Sequence, residues 1–208
     1  MKSLPSGIYG ITTRGRGLDH FSSAEILLES GITIIQYREK GVSTREMISQ
    51  ARRLREICNS YNAIFIVNDR VDVAYASDAD GVHVGQDDFP PELVKGIIGD
   101  AIVGVSASSI TEGTEGEMHG ASYIGAGSVF QSNTKPEERV IGIDGFAGIV
   151  KAVHIPVYAI GGIKLEHIAL IKKLGARGAA VISGIFDSSD PLSSARAFVN
   201  KWRTTDHA

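Results

Sequence analysis

Polar residues suited to binding anions and metal ions follow the apolar, strand-like segments of this 208-residue chain. One such segment begins with two isoleucines and ends in alternating polar residues. Because side chains alternate between the two faces of a strand, Gln36, Arg38 and Lys40 should share one side. Tyr37 and Glu39 then point to the other. Two cations beside an amide at the mouth of a buried strand suit a ligand with several negative oxygens, although a solvated strand end is the simpler alternative.

Two acidic positions, Asp69 and Asp88, follow the next two strand-like segments. Magnesium typically binds one or two carboxylates together with waters and phosphate oxygens. Asp69 could instead cap the helix that follows it, and Asp87 or Asp88 could cap the next one. Together with the two cations above and Lys135 from a later loop, a metal–diphosphate site explains these carboxylates better than capping does.

Glycine pairs give a second, separate signal. Gly161-Gly162 and Ser183-Gly184 follow the last two strand-like segments. In a (β/α)8 barrel the loops after strands seven and eight commonly bind a phosphate group, since bare backbone N–H groups can approach it closely. A pair of glycines can also form only a tight turn. The signal therefore indicates a phosphate without indicating a reaction.

Short strand-like segments alternate with helical patterns along the whole chain. The predicted strands are 8–12, the segment beginning at Ile34, 63–67, 81–84, 102–105, 123–126, 157–160 and 179–182. About eight such units, with no linker or low-complexity tract, predict one α/β domain over residues 1–208, a single-domain (β/α)8 TIM barrel. A doubly wound open sheet is the alternative. In a barrel, the polar residues above would all lie at the carboxyl ends of the strands, where active sites of this fold are found.

Helix boundaries are marked by capping and stop signals. A helix is predicted from Asp19 to Ser30, and a capping-box pattern at Ser43 begins the next one. That second helix places Met47, Ala51, Leu54 and Cys58 on one face. The last helix follows Asp190-Pro191 and should bury Leu192, Ala195, Val199 and Trp202. The longest connection, residues 128–144, has the length of a functional loop.

Bulk properties exclude several classes of protein. Hydrophobic residues make up 43% and charged residues 22% of the chain, as in soluble globular proteins. A net charge of −3 argues against a general nucleic-acid surface, so we expect small phosphorylated molecules rather than nucleic acid as partners. The single cysteine, Cys58, excludes a disulfide framework. Neither a signal peptide nor a membrane-spanning run is present, so we expect a cytoplasmic protein with no membrane contact; the oligomeric state, a homo-oligomer included, is left open.

The histidines carry no metal-binding spacing. His83 lies in the fourth predicted strand, where a packed, hydrogen-bonded histidine is more common than a catalytic one, and its face is left open. Four other histidines lie on predicted helices or their edges, and we expect them at the surface: His20, His119, His154 and His167. The chain also lacks a nucleophile elbow and a dinucleotide-binding fingerprint.

In order along the chain, a series of motifs resembles the thiamine phosphate synthase family. The motifs are Tyr9-Gly10-Ile11-Thr12, Gln36-Tyr37-Arg38-Glu39-Lys40, Asn68-Asp69-Arg70, Gly81-Val82-His83-Val84-Gly85-Gln86-Asp87-Asp88, Gly104-Val105-Ser106, Ser132-Asn133-Thr134-Lys135 and Ile160-Gly161-Gly162-Ile163. The second, third and fourth are specific, whereas the Gly-Gly motif is generic. The resemblance implies an alkyl-transfer reaction in which hydroxymethylpyrimidine diphosphate and hydroxyethylthiazole phosphate give thiamine monophosphate and diphosphate.

The resemblance also implies roles for individual residues. Mg²⁺ would bind Asp69 and Asp88, the pyrimidine would lie near Gln36, and Ser106 would lie close to the reacting centre. Residues implied to contact the diphosphate are Arg38, Lys40, Asn68 and Lys135. Those implied for the thiazole phosphate are Gly162 and Ser183, with Ser132 and Thr134 nearby. Arg38, Lys40, Ser106 and Lys135 would be the catalytic set, stabilising charge on the leaving group without a side-chain nucleophile.

This chain departs from the family pattern at two places. Ser128 and Gln131 replace two prolines of the loop that leads to Lys135, and Ser132 replaces a threonine, so a less rigid loop is expected. Ser108 stands where the family has a histidine. Two other functions compete with the synthase. A related thiazole tautomerase generally lacks the Asn-Asp pair and the later aspartate that this chain has, and a non-catalytic thiamine-precursor sensor would not need a metal-binding pair.

Overall fold

Eight parallel strands close into a barrel in the computed structural model, which describes residues 4–15, 17–131 and 139–205. Each strand pairs with its sequence neighbour, and β1 pairs with β8 through Gly7–Gly178 to Gly10–Val181. The strands are β1 Gly7–Ile11, β2 Ile34–Tyr37, β3 Ile64–Asn68, β4 Gly81–Val84, β5 Ile102–Ala107, β6 Tyr123–Ala126, β7 Val157–Ala159 and β8 Gly178–Val181. The predicted (β/α)8 barrel is confirmed, and the open-sheet alternative is wrong because the sheet has no free edge.

Helices follow the strands and cover the outside of the barrel. In the described residues they are α1 His20–Glu29, α2 Thr44–Ser60, α3 Val71–Ala76, α4 Pro91–Ile98, α5 Ile110–Met118, α6 Gly142–Ala152, a 3-10 turn Leu165–His167, α7 Ile168–Lys173, α8 Ser183–Phe186 and α9 Pro191–Thr204. None of these helices is long and apolar enough to cross a membrane.

The capping signals in the sequence mark the observed helix starts. Asp19 caps α1, accepting a hydrogen bond from the Ser22 N–H at 2.7 Å. Ser43 caps α2, and the buried face of that helix is the predicted one. In α9 the buried residues are Ala195, Phe198, Val199 and Trp202, whereas the predicted Leu192 is only half-buried. Phe198 takes that place because α9 also packs on α8, a four-residue helix that sequence patterning did not predict.

Alternation along the strands divides the core into two layers. Residues facing outward pack with the helices in one large cluster. Residues facing inward form a second cluster around three tyrosines, Tyr9, Tyr123 and Tyr158, whose ring centroids lie 5.4–5.9 Å apart. These rings fill the middle of the barrel, so that any cavity must open at its ends.

The amino end of the barrel is closed by the first described residues. The Tyr158 hydroxyl donates to the Pro5 carbonyl, and the Arg177 guanidinium donates to the Leu4 carbonyl at 2.8 Å. The Trp202 indole of α9 donates to the Ser6 hydroxyl at 3.2 Å. Ligand access is therefore left to the opposite end, where the strands terminate in polar residues.

Truncation of the outer core should weaken the barrel where α1 packs on β1. Leu27 is fully buried against Gly10, and Leu27→Ala should lower the free energy of unfolding by about 3 kcal/mol because it leaves a cavity. Leu93→Ala, at a position 54% exposed, is the matched control and should change it by less than about 0.5 kcal/mol. Denaturant titration measures both. Equal losses in the two variants would contradict this account of the core.

Candidate active site

Two connected cavities open at the carboxyl ends of the strands. The outer cavity, about 500 Å³, is lined by charged residues that include Arg38, Lys40, Asp69 and Asp88. The inner cavity, about 100 Å³, reaches down to the tyrosine layer. Residues lining both are Arg38, Asn68, Ser106, Gly125 and Ile160. Two ligands bound in the two cavities would therefore touch each other.

Asp69 and Asp88 lie side by side in the outer cavity. Their carboxyl groups are neighbours, and the Lys40 ammonium lies 3.5 Å from Asp69. Burial, followed by the neighbouring charge of Asp88, raises the pKa of Asp69 above its usual range. Two carboxylates held together with one exposed lysine form an electron-rich pair that favours a proton or a cation.

Neither aspartate caps a helix. The N-cap of α3 is Arg70 and that of α4 is Pro90, and neither helix has a side-chain cap. Asp88 instead accepts a hydrogen bond from the Gly85 N–H at 2.7 Å, which fixes its side chain within the β4–α4 loop. The capping alternative for both residues is therefore wrong.

The backbone at Asp69 is strained. Its φ is +63°, and a hydrogen bond of 2.7 Å from the Arg70 N–H to the Asn68 carbonyl closes a three-residue turn around it. Such a conformation costs about 1–3 kcal/mol in a non-glycine residue and is found mostly at functional sites. The Asp69 N–H donates to the His83 carbonyl at 2.7 Å, which continues the pairing of β3 with β4 and holds the turn in place.

Arg38 lies at the junction of the cavities. The strand β2 ends at Tyr37, so Arg38 and Lys40 extend from the β2–α2 loop rather than from the strand itself. Within residues 4–15, 17–131 and 139–205, Arg38 makes no hydrogen bond and no ion pair, although it is half-buried. A half-buried guanidinium without a protein partner can bind an external anion through its planar fork of donors.

A chain of hydrogen bonds crosses the inner cavity from Gln36 to Ser106. The Gln36 amide donates to the Tyr9 hydroxyl at 3.0 Å, and the Tyr9 and Tyr123 hydroxyls lie 2.8 Å apart. His83 contacts Tyr123 through Nδ1 at 3.0 Å and the Ser106 hydroxyl through Nε2 at 2.9 Å. His83 is thus packed and hydrogen-bonded, and it faces the interior of the barrel.

One direction of this chain is consistent with its donors. Burial raises the pKa of Tyr9 and of Tyr123, so both hydroxyls keep their protons at neutral pH. With Tyr9 accepting from Gln36, the chain can run Tyr9 to Tyr123 to His83 to Ser106, each O–H or N–H donating to the next residue. This direction leaves the Ser106 hydroxyl proton for a group in the cavity. Sequence reasoning missed Tyr9 and Tyr123; the available signal was that buried tyrosine hydroxyls need partners.

The paired glycines serve a close approach between two loops. Gly161 has a φ of +92° and Gly162 a φ of +61°. A Cβ atom would lie 1.9 Å from Ser128 Oγ at Gly161, and 2.3 Å from the Gln131 carbonyl oxygen at Gly162. Only glycine allows the two loops to meet in this way. Both glycines and Ser183, the first residue of α8, line the inner cavity.

Several sequence expectations have other outcomes. Ser132, Thr134 and Lys135 lie outside the described residues. Ser108, at the position of the family histidine, donates to the Glu112 carboxylate through its N–H and its hydroxyl. The prediction of a surface position is wrong for His20, which is 4% exposed because it is enclosed by Thr12, Tyr37 and Glu39.

Among the described residues, the Asp69–Asp88 pair is not extended by a third metal-binding side chain. No group of three or more His, Cys, Asp or Glu side chains there could hold a metal ion. The Asp69–Asp88 pair remains, and magnesium commonly needs no more than one or two protein carboxylates. The donor set therefore fits a hard cation that completes its coordination with waters and a phosphorylated ligand.

The fold and the site together define the class of (β/α)8-barrel enzymes, in which charged side chains lie at the carboxyl ends of the strands. Residues 8–185 match the thiamine monophosphate synthase family. The thiamine-phosphate synthase of Caldivirga maquilingensis is 52% identical over 200 residues, covering 96% of this chain and 98% of that protein. That of Caldanaerobacter subterraneus subsp. tengcongensis is 47% identical over 191 residues, covering 90% and 89%.

The structural comparison agrees. Thiamine phosphate pyrophosphorylase from Pyrococcus furiosus superposes with a TM-score of 0.90 at 41% sequence identity, covering 97% of each chain. The chain belongs to the thiamine monophosphate synthase family.

The carboxylate pair should lower the stability of the ligand-free protein. Asp69→Asn removes a charge that burial and Asp88 disfavour, so at pH 7 it should raise the free energy of unfolding by about 1 kcal/mol. A pKa raised in the folded state favours folding below the ordinary aspartate pKa of about 3.9, and that contribution is lost as the pH rises through the raised value. The gain over wild type should therefore vanish at low pH.

Denaturant titration of ligand-free protein at several pH values measures this difference. Asp100→Asn, at an exposed position preceding β5 at the opposite end of the barrel, is the control and should show no pH-dependent gain. A variant Asp69→Asn that is less stable than wild type at pH 7 would mean that the pair is structural.

Proposed function

We propose that this protein is a thiamine-phosphate synthase that joins hydroxymethylpyrimidine diphosphate to hydroxyethylthiazole phosphate, releasing diphosphate. The observation that carries the proposal is the outer cavity, where a carboxylate pair and two cations meet beside Ser106. Family membership, with relatives named thiamine-phosphate synthase at 47–52% identity, supports the same reaction.

The outer cavity suits the diphosphate. Asp69 and Asp88 would hold Mg²⁺, which when bound would neutralise charge on the diphosphate oxygens. Arg38 offers donors that have no partner among the described residues, and Lys40 can turn from Asp69 to a phosphate because its side chain is 62% exposed. Asn68 lines the same cavity and can donate through its amide. Lys135, which the family resemblance adds, lies outside the described residues.

The inner cavity suits the two rings. Gln36, at 4% exposure, offers the polar edge that a pyrimidine needs, beside the tyrosine rings that also line this cavity. The thiazole phosphate would bind at Gly162 and Ser183, with Ser132 and Thr134 contributed by the loop whose described start packs on the glycine pair. The rings would then meet near Ser106, which lines both cavities.

The proposed reaction is a dissociative substitution. The bond between the pyrimidine methylene carbon and the diphosphate oxygen breaks, and its electron pair leaves with the diphosphate. The ring amino group stabilises the resulting methylene cation, and the thiazole nitrogen lone pair forms the new C–N bond. Arg38, Lys40 and Ser106 stabilise charge on the leaving group through preorganised donors, and no side-chain nucleophile is required.

Magnesium-dependent release of inorganic diphosphate from the two substrates together tests the proposal. Wild-type protein should release diphosphate only when both substrates and Mg²⁺ are present. A thiazole tautomerase or a precursor sensor would release none, and this result would overturn the proposal. Such an enzyme is expected in the cytoplasm, since its substrates are small, phosphorylated and charged.

Loss of Asp88 should impair the metal response. Asp88→Asn keeps an acceptor for the Gly85 N–H but removes one charge, so it should lower kcat/KM about 100-fold and raise the Mg²⁺ concentration needed for half-maximal activity. Activity is measured across a magnesium titration, with Asp100→Asn as the charge-matched control. An unchanged magnesium response in Asp88→Asn would exclude this residue as a ligand.

Arg38 should contribute to catalysis without contributing to folding. Arg38→Gln removes a guanidinium that has no partner among the described residues, so thermal stability should stay near wild type while kcat/KM falls about 100- to 1,000-fold. Steady-state kinetics and a thermal melt measure the two effects. Arg203→Gln, exposed at the end of α9, is the control. Parallel losses of stability and activity in Arg38→Gln would show a structural role.

A further inference from the structure

A polar cluster lies behind the cationic loop, on the side away from the outer cavity. His20, the first residue of α1, contacts the Thr12 hydroxyl through Nδ1 at 2.8 Å. Its Nε2 lies 3.2 Å from Glu39 Oε2, and the edge of its ring packs on Tyr37. The side chains of His20 and Glu39 are 5% and 3% exposed. A carboxylate buried this deeply is rare unless it is fully partnered.

The contacts settle where the His20 proton lies. An ionised carboxylate only accepts hydrogen bonds, so Nε2 carries a hydrogen and donates to Glu39. Burial, the largest effect, lowers the pKa of His20 and favours the neutral ring. In the neutral ring Nδ1 accepts, and Thr12 donates to it. The capping box at Asp19 holds the start of α1 and thus the position of His20.

Glu39 is saturated with donors. Its Oε1 accepts from the Lys40 and Gly41 N–H groups, each at 2.6 Å, and its Oε2 accepts from His20 and forms an ion pair with Arg14, whose Nε lies 3.1 Å away. Although burial opposes ionisation, the hydrogen bonds from Gly41, His20 and Lys40 and the Arg14 charge hold the pKa of Glu39 below its usual range. A carboxylate has about four lone-pair sites, and three hydrogen bonds and one ion pair occupy both oxygens of Glu39.

This saturation matters because Glu39 stands between Arg38 and Lys40 in the chain. A free carboxylate there would pair with one of them and compete with an incoming anion. With both of its oxygens occupied, Glu39 does not compete for either cation. Arg38 and Lys40 line the outer cavity, and they also line a third cavity bordered by His20 and Glu39. Glu39 also fixes two consecutive backbone N–H groups of the loop that carries the two cations, so the loop is held before any ligand arrives.

We propose that His20, acting through Glu39, is a positioning residue that holds the β2–α2 loop so that its two cations face the bound anion. The inference rests on the proposed diphosphate site. It extends that site to a histidine of α1 that is not among the residues lining the outer or the inner cavity. His20 orients Glu39, and Glu39 holds the backbone of residues 40 and 41. The loop then keeps Arg38 and Lys40 in the wall of the outer cavity.

The test compares His20→Leu, which removes the donor, with His20→Gln, which keeps a side-chain N–H within reach of Glu39. Calorimetry measures binding of inorganic diphosphate with Mg²⁺, and hydrogen exchange measures protection of the Lys40 and Gly41 amides in ligand-free protein. His20→Leu should weaken diphosphate binding about tenfold and speed exchange at both amides about tenfold, whereas the Gly85 amide should be unchanged. His20→Gln should restore both towards wild type.

Kinetics separates positioning from a general loss of structure. In His20→Leu the KM for the pyrimidine diphosphate should rise about tenfold while the KM for the thiazole phosphate stays constant. His154→Leu, whose side chain is 93% exposed, is the control. Equal rises in both KM values, or faster exchange with unchanged diphosphate binding, would overturn the role of His20 and leave the proposed synthase activity unaffected. Wild-type protein that binds diphosphate but never releases it from the substrates would overturn only the proposed synthase activity.

Discussion

Repulsion between two neighbouring carboxylates is the constraint on which the rim of this barrel depends. Asp69 and Asp88 are held side by side, and Asp69 adopts a positive φ that costs more in a non-glycine residue than in glycine. Both features oppose folding. They persist because the Asp69 backbone is tied to β4 and the Asp88 side chain is tied to Gly85. The closed sheet thus supplies the energy that keeps an otherwise unfavourable pair of charges in place.

The same sheet separates charges that would otherwise cancel each other. Directly after β2, the backbone of the β2–α2 loop places Arg38 in the cavities and Glu39 beside His20, although the two residues are adjacent in the chain. The inner tyrosines combine two roles, because the hydroxyls of Tyr9 and Tyr123 carry hydrogen bonds across the barrel to Ser106 while the rings fill its middle. Cationic and anionic groups that are neighbours in the chain are therefore kept apart by the contacts that each makes in the folded structure.

Sequence patterning could predict the strands, their order and the polar residues at their ends, because these depend on local alternation and capping. It could not predict that His20 is buried, since a histidine at a helix start looks solvated until Thr12 and Glu39 are seen to enclose it. Phe198 was missed for a similar reason, because its burial depends on the unexpected helix α8. Properties set by two distant segments need the tertiary structure.

The cost of the carboxylate pair also bears on the competing functions. A precursor sensor needs only contacts that favour the bound ligand, and two repelling carboxylates at its mouth would weaken both its folding and its affinity for a phosphate. A catalyst that expels diphosphate gains from the same pair, because a cation held there offsets charge that develops as the bond breaks. An isomerase that releases no anion would have no such gain. An unfavourable arrangement in the ligand-free protein is therefore best explained by a reaction whose leaving group is itself strongly negative.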